Sequence, residues 1–94
     1  MRITKKHLQA KIDTVNHLLF NSTETHTIGE DKSWKPIVGR FILSQAYGGY
    51  DVCSYANEGG GVHSYLHGHG PAREANEFLR GFISALQVKK DLEQ

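Results

Sequence analysis

Cysteine is nearly absent from this chain. Cys53 stands alone, so neither a disulfide framework nor a cysteine-based zinc finger can form. Charge of one sign is equally scarce: the formal net charge is +1, too little for a whole-molecule field that draws in long nucleic acids. Any recognition of an anion must therefore be local. Long apolar runs are missing as well. The basic start, Met1-Arg-Ile-Thr-Lys-Lys, leads into an amphipathic stretch, so neither a signal peptide nor a membrane span is expected, and a soluble cytoplasmic chain is. Acidic residues are thin through the middle. Asp51 and Glu58 are the only ones between Lys32 and Arg73, too few to suggest a carboxylate pair. Neither GxxxxGK[ST] nor GxGxxG occurs, which leaves nucleotide hydrolases and dinucleotide dehydrogenases without support.

What is present suits one small globular domain over residues 1–94. The hydrophobic fraction is 38% and the charged fraction 22%, both ordinary for a folded chain. So short a chain buries little apolar surface, which makes a homo-oligomer an expectation.

Leu8, Ile12, Val15 and Leu19 recur at helical spacing, with Lys5, Lys6, Lys11, Asp13 and Asn16 on the other face. Thr4 is placed to cap this helix, and Asn21-Ser22-Thr23 ends it. Residues 21–36 are polar and aperiodic, which reads as a loop. IVGRFILSQ predicts a strand over residues 37–45, and YDVCSYA a second one ending at Ala56. Gly48-Gly49 between them suits a two-residue hairpin turn. Tyr47 would then face Tyr50, Gln45 Val52, Leu43 Ser54 and Phe41 Ala56. A short third strand is expected from Val62 to Leu66. Gly70-Pro71 opens a last helix, with proline at the first helical position, whose apolar face is Ala75, Phe78, Leu79, Phe82 and Leu86. Gly81 inside it suggests a close approach to another element. The order is helix, antiparallel hairpin, glycine-rich loop, helix: an α+β domain.

The segment from Asn57 to Arg73 carries five glycines, three histidines, a proline and an arginine in seventeen residues. Three chemistries compete for it. His63, His67 and His69 with Cys53 could converge on a metal if the segment were extended, though the spacing matches no strong zinc signature. A histidine could serve as general base, but the tetrapeptide motifs of the two-histidine phosphoesterases are absent. Anion binding fits best. The free N–H groups of a helix beginning at Gly70-Pro71, the Arg73 guanidinium and the backbone of Gly59, Gly60 and Gly61 could cradle a phosphate. His67 and His69 could add hydrogen bonds, Asn57 and Glu58 could read a base edge or ribose hydroxyl, and a tyrosine such as Tyr47 could stack on the base. Each residue also has a plain role: glycines make turns, histidines sit on loops, and cross-strand tyrosines pack sheets. Of Tyr47, Tyr50, Tyr55 and Tyr65, two are expected to be structural. No enzyme activity and no cofactor follow from this pattern.

The stretches MRITKKHLQAKIDTVN, LSQAYGGYDV and NEGGGV resemble a family of small uncharacterised proteins of tailed bacteriophages, across most of the chain. The layout also resembles phage sponge proteins that counter Thoeris and related signalling immunity. That resemblance implies an oligomer in the host cytoplasm that sequesters a cyclic ADP-ribose isomer or a cyclic oligonucleotide without cleaving it. It implies an aromatic base clamp at Tyr47, a ligand contact at Asn57, and a phosphate-holding stretch from Gly68 to Arg73. The first helix is the expected interface between subunits.

Overall fold

The computed structural model describes residues 2–93. Two helices and five strands form an α+β fold: α1 (Lys5–Phe20), β1 (His26–Ile28), β2 (Trp34–Pro36), β3 (Phe41–Ala46), β4 (Gly49–Tyr55), β5 (Val62–Ser64) and α2 (Ala72–Leu92). β3, β4 and β5 make an antiparallel sheet in that order. β1 and β2 make a separate two-stranded ribbon where a plain loop was expected.

Helix α1 starts as its sequence dictates. Thr4 caps it by accepting from the His7 N–H, and the His7 ring reaches back to the Thr4 N–H. Asn21 ends it in the left-handed conformation. Leu8, Ile12 and Val15 are fully buried together with Val52, Ala75 and Leu79, and Phe41 closes this core. Both helices lie on one face of the sheet. The apolar stripe of α1 is thus consumed inside the single chain, against α2 and β3, and is not left free as a subunit interface. Leu19 is the exception, at 40% exposure. Asn16 also departs from expectation: it lies in the core, not on the polar face.

The hairpin turn is centred on Tyr47-Gly48, not Gly48-Gly49. Both central residues have positive φ, 54° and 75°, as a primed turn requires. Ala46 therefore faces Gly49, Gln45 Tyr50, Leu43 Val52 and Phe41 Ser54. The register slips by two residues from the expected one. Because strand side chains alternate with period two, every side chain keeps its face. The slip places Gly49 inside β4, where a Cβ would lie 2.9 Å from the Gly70 carbonyl oxygen. β3 begins later than expected, since Ile37 to Arg40 forms a turn with Gly39 at φ 92°.

Pro71 is the N-cap of α2 and not its first helical residue. The apolar face follows expectation, with Ala75 and Leu79 buried and Phe78, Phe82 and Leu86 partly so. Gly81 meets no close neighbour, so it marks no contact within the chain.

Candidate functional site

The third strand is interrupted, and the interruption shapes the glycine–histidine segment. β5 pairs with β4 from Val62 to Ser64, and the chain returns to β4 at Gly70. There Tyr50 and Gly70 exchange two backbone hydrogen bonds, of 2.8 and 2.9 Å. Between these points residues 66–69 bulge outward around Asp51, which is 3% exposed. Its carboxylate accepts the Ser64 hydroxyl at 2.5 Å and the Leu66 N–H at 3.2 Å, while Ser64 Oγ accepts from the His67 N–H. Each oxygen of this buried carboxyl group therefore has a donor. His67 adopts φ 59° and breaks the extended alternation. His63, His67, His69 and Cys53 consequently do not converge. Among the described residues, no three His, Cys, Asp or Glu side chains are grouped to hold a metal ion.

The bulge carries His69 to Ser44 on β3, with Nε2 and Oγ 2.8 Å apart. Tyr47 stands beside this pair, its ring centroid 6.5 Å from that of His69, and its side chain is fully exposed. The other three tyrosines are engaged, one more than expected. Tyr65 stacks on Phe78 and bonds the Ser54 hydroxyl, Tyr50 packs against the core, and Tyr55 meets Trp34 edge-on. Tyr47 alone is free to stack on a ligand.

Gly70 and Arg73 belong to this end of the sheet, but the anion site there is narrower than expected. Gly70 spends its N–H on Tyr50, Pro71 has none, and the Glu74 N–H returns to the Pro71 carbonyl. The N–H groups of Ala72 and Arg73 remain at the helix start. The Glu74 carboxylate lies over Gly70, where an added Cβ would sit 2.8 Å from its oxygen. This acid already occupies part of the positive end of the helix. Arg73 is exposed.

The remaining predicted residues lie elsewhere. Asn57, Glu58 and Gly59–Gly61 form a loop at the far end of β4, about 20 Å from Tyr47 at roughly 3.3 Å per strand residue. Asn57 turns its side chain inward on that loop, and its Oδ1 accepts from the Gly59 and Gly61 N–H groups at 2.9 and 3.1 Å. A Cβ at Gly61 would lie 2.6 Å from Asn57 Nδ2, so a larger residue there would push the Asn57 side chain aside. The backbone of Tyr47, His69, Gly70 and Arg73 therefore lies towards one end of β4, and that of Asn57, Glu58 and the triple glycine beyond the other. Two open depressions, of about 400 Å³ along Glu24 to Ile28 and about 180 Å³ between the carboxyl ends of α1 and α2, include none of these residues.

Sequence reasoning missed Ser44 and gave Asp51 no role. Neither carries a motif. Each acquires its role only from pairing across the sheet. Cys53, 3% exposed, has its thiol pushed up to about 11 by burial, reinforced by the charge and hydrogen bond of Asp51. It is a packed side chain and no nucleophile at neutral pH.

No family model, no curated protein and no solved structure matches this chain.

Proposed function

We propose that the protein binds and sequesters a nucleotide-derived signalling molecule, a cyclic ADP-ribose isomer or cyclic oligonucleotide, without cleaving it. In this reading it is a phage protein acting in the host bacterial cytoplasm against signalling immunity. The observation that carries the proposal is Tyr47. A fully exposed aromatic ring held at positive φ on a two-residue turn contributes nothing to the core and costs backbone strain of about 1 kcal/mol. Such an outlier is explained by a flat partner, since stacking a base on an aromatic ring is worth about 1–3 kcal/mol. His69, the Ala72 and Arg73 N–H groups and the Arg73 guanidinium supply donors at the same end.

Tyr47 stands clear of any enclosure, and tight retention requires one. A homo-oligomer whose neighbouring subunit covers Tyr47 would provide it, and would let Asn57, Glu58 and Gly59–Gly61 of that subunit reach the same ligand.

A second reading is a protein-binding inhibitor of a host defence enzyme. Trp34 is 48% exposed and Ile28, directly opposite it on the β1–β2 ribbon, 62% exposed, an aromatic and aliphatic pair suited to a protein contact. One experiment separates these and a histidine-dependent phosphodiesterase. The protein is incubated with each candidate messenger, then heat-denatured, and the supernatant is assayed. Messenger depleted before heating and recovered intact after it supports sequestration. Altered messenger indicates an enzyme. No depletion indicates the inhibitor.

A further inference from the structure

We propose that Ser44 is a nucleophile and His69 its general base, a pair able to accept the acyl group of an activated carboxylic ester. The separation of 2.8 Å between Ser44 Oγ and His69 Nε2 is the hydrogen-bonding distance at which an imidazole takes a hydroxyl proton. Both side chains are held by well-anchored backbone. Ser44 lies mid-strand, opposite Asp51 in the β3–β4 ladder. His69 is followed by Gly70, whose double hydrogen bond to Tyr50 ties it to the sheet. Gly49 makes this docking possible, because any Cβ there would come within 2.9 Å of the His69 carbonyl carbon. His69 is exposed and Ser44 half-buried, so solvent and a small substrate reach the pair.

The chemistry follows from the groups present. With His69 neutral, Nε2 accepts the Ser44 proton as Oγ bonds to the carbonyl carbon. The bond to the leaving alcohol then breaks, and the alcohol departs with the proton from His69. Water attacks the acyl-serine by the same proton route, releasing the carboxylic acid and restoring Ser44. An ester carbonyl is neutral, and the oxyanion formed at its oxygen when Oγ attacks is solvated by water at this exposed site until the leaving alcohol departs. A phosphodiester anion would also need a cation, and among the described residues no lysine or arginine hydrogen-bonds to either side chain. Nothing there accepts from His69 Nδ1 either, so the base lacks an orienting partner, and the reaction is slow compared with that of a full triad.

The test is acetylation of the full chain by p-nitrophenyl acetate, mapped by peptide mass spectrometry and followed by nitrophenol release. Ser44 should be acetylated at least about 100-fold faster than Ser84, an exposed serine without a base. His69→Asn should abolish the excess, and Ser44→Ala should remove the acetylated peptide. Gly49→Ala, by displacing His69, should behave like His69→Asn. Circular dichroism confirms that each variant is folded. Equal acetylation of Ser44 and Ser84, a rate indifferent to His69→Asn, or nitrophenol release unchanged in Ser44→Ala would each overturn the proposal. The messenger-binding reading does not depend on the outcome.

Discussion

Asn16 grips both main-chain groups of Phe41. Its Nδ2 donates to the Phe41 carbonyl at 2.9 Å, and its Oδ1 accepts from the Phe41 N–H at 2.8 Å. The side chain is wholly buried between α1 and the outer edge of β3, twenty-five residues away in the chain. It completes the backbone hydrogen bonding of an edge residue that has no neighbouring strand on that side.

Asn16→Ala should therefore destabilise the protein by about 2–4 kcal/mol, because it strands a buried donor and a buried acceptor at once. Urea unfolding measures this. A loss below about 0.5 kcal/mol would mean that water reaches the Phe41 backbone.

Tyr47→Gly should separate stability from function. Glycine accepts the positive φ at no steric cost, so the thermal midpoint should hold or rise, consistent with relief of about 1 kcal/mol. Binding of the messenger should fall by about 1–3 kcal/mol if a base stacks on the ring. A lower midpoint would show that the ring packs on something within the folded protein.

Asn57→Ala and Arg73→Ala should fail differently. Asn57 holds two loop N–H groups, so its loss should lower stability by about 0.5–1.5 kcal/mol in the absence of any ligand. Sequence reasoning points to a ligand contact at Asn57, and the structure adds this role within the loop. Arg73 is exposed, so Arg73→Ala should leave the melt unchanged and weaken binding by about 1.5–3 kcal/mol if it meets a phosphate. Thermal melts with and without cyclic dinucleotides, cyclic trinucleotides and ADP-ribose isomers read both effects.

Cys53 should make stability fall in alkali. Its thiol is neutral in the fold up to about 11, whereas in the unfolded chain it ionises from the ordinary value of 9.0. Between these values the unfolded state has released a proton that the native state still holds, so raising the pH favours unfolding. The Cys53 contribution is fully present below pH 9 and is lost as pH climbs towards 11. Melting curves of the parent should decline more steeply across that window than those of Cys53→Ala. Native Cys53 should also resist iodoacetamide at pH 8 and react once unfolded. Rapid native alkylation would contradict its burial.

Much of the fold was legible in local sequence. Thr4 and the Leu8–Ile12–Val15 stripe marked α1, β-branched and aromatic runs marked β3 and β4, and Pro71 with the Ala75–Leu79 face marked α2. The ribbon of β1 and β2 was not. His26-Thr27-Ile28 and Trp34-Lys35-Pro36 are three residues each, too short for alternation to rise above a polar background. The candidate site was legible only as a set of residue types. Tyr47 and His69 are neighbours beside the hairpin turn, with the backbone of Gly70 paired to the same end of β4, whereas Asn57 to Gly61, adjacent in sequence to the histidines, end up a strand's length away.

Sequence by itself settled α1, α2, β3 and β4 as helical or extended, because helix periodicity, caps and strand alternation depend on neighbours a few residues apart. Only the three-dimensional packing decided the hairpin register, the burial of Asn16, and the meeting of Ser44 with His69. The last two turn on contacts between residues twenty-five positions apart. A missing Cβ at Gly49 and unpaired backbone at Phe41 select the partner there, and neither leaves a periodic trace along the chain.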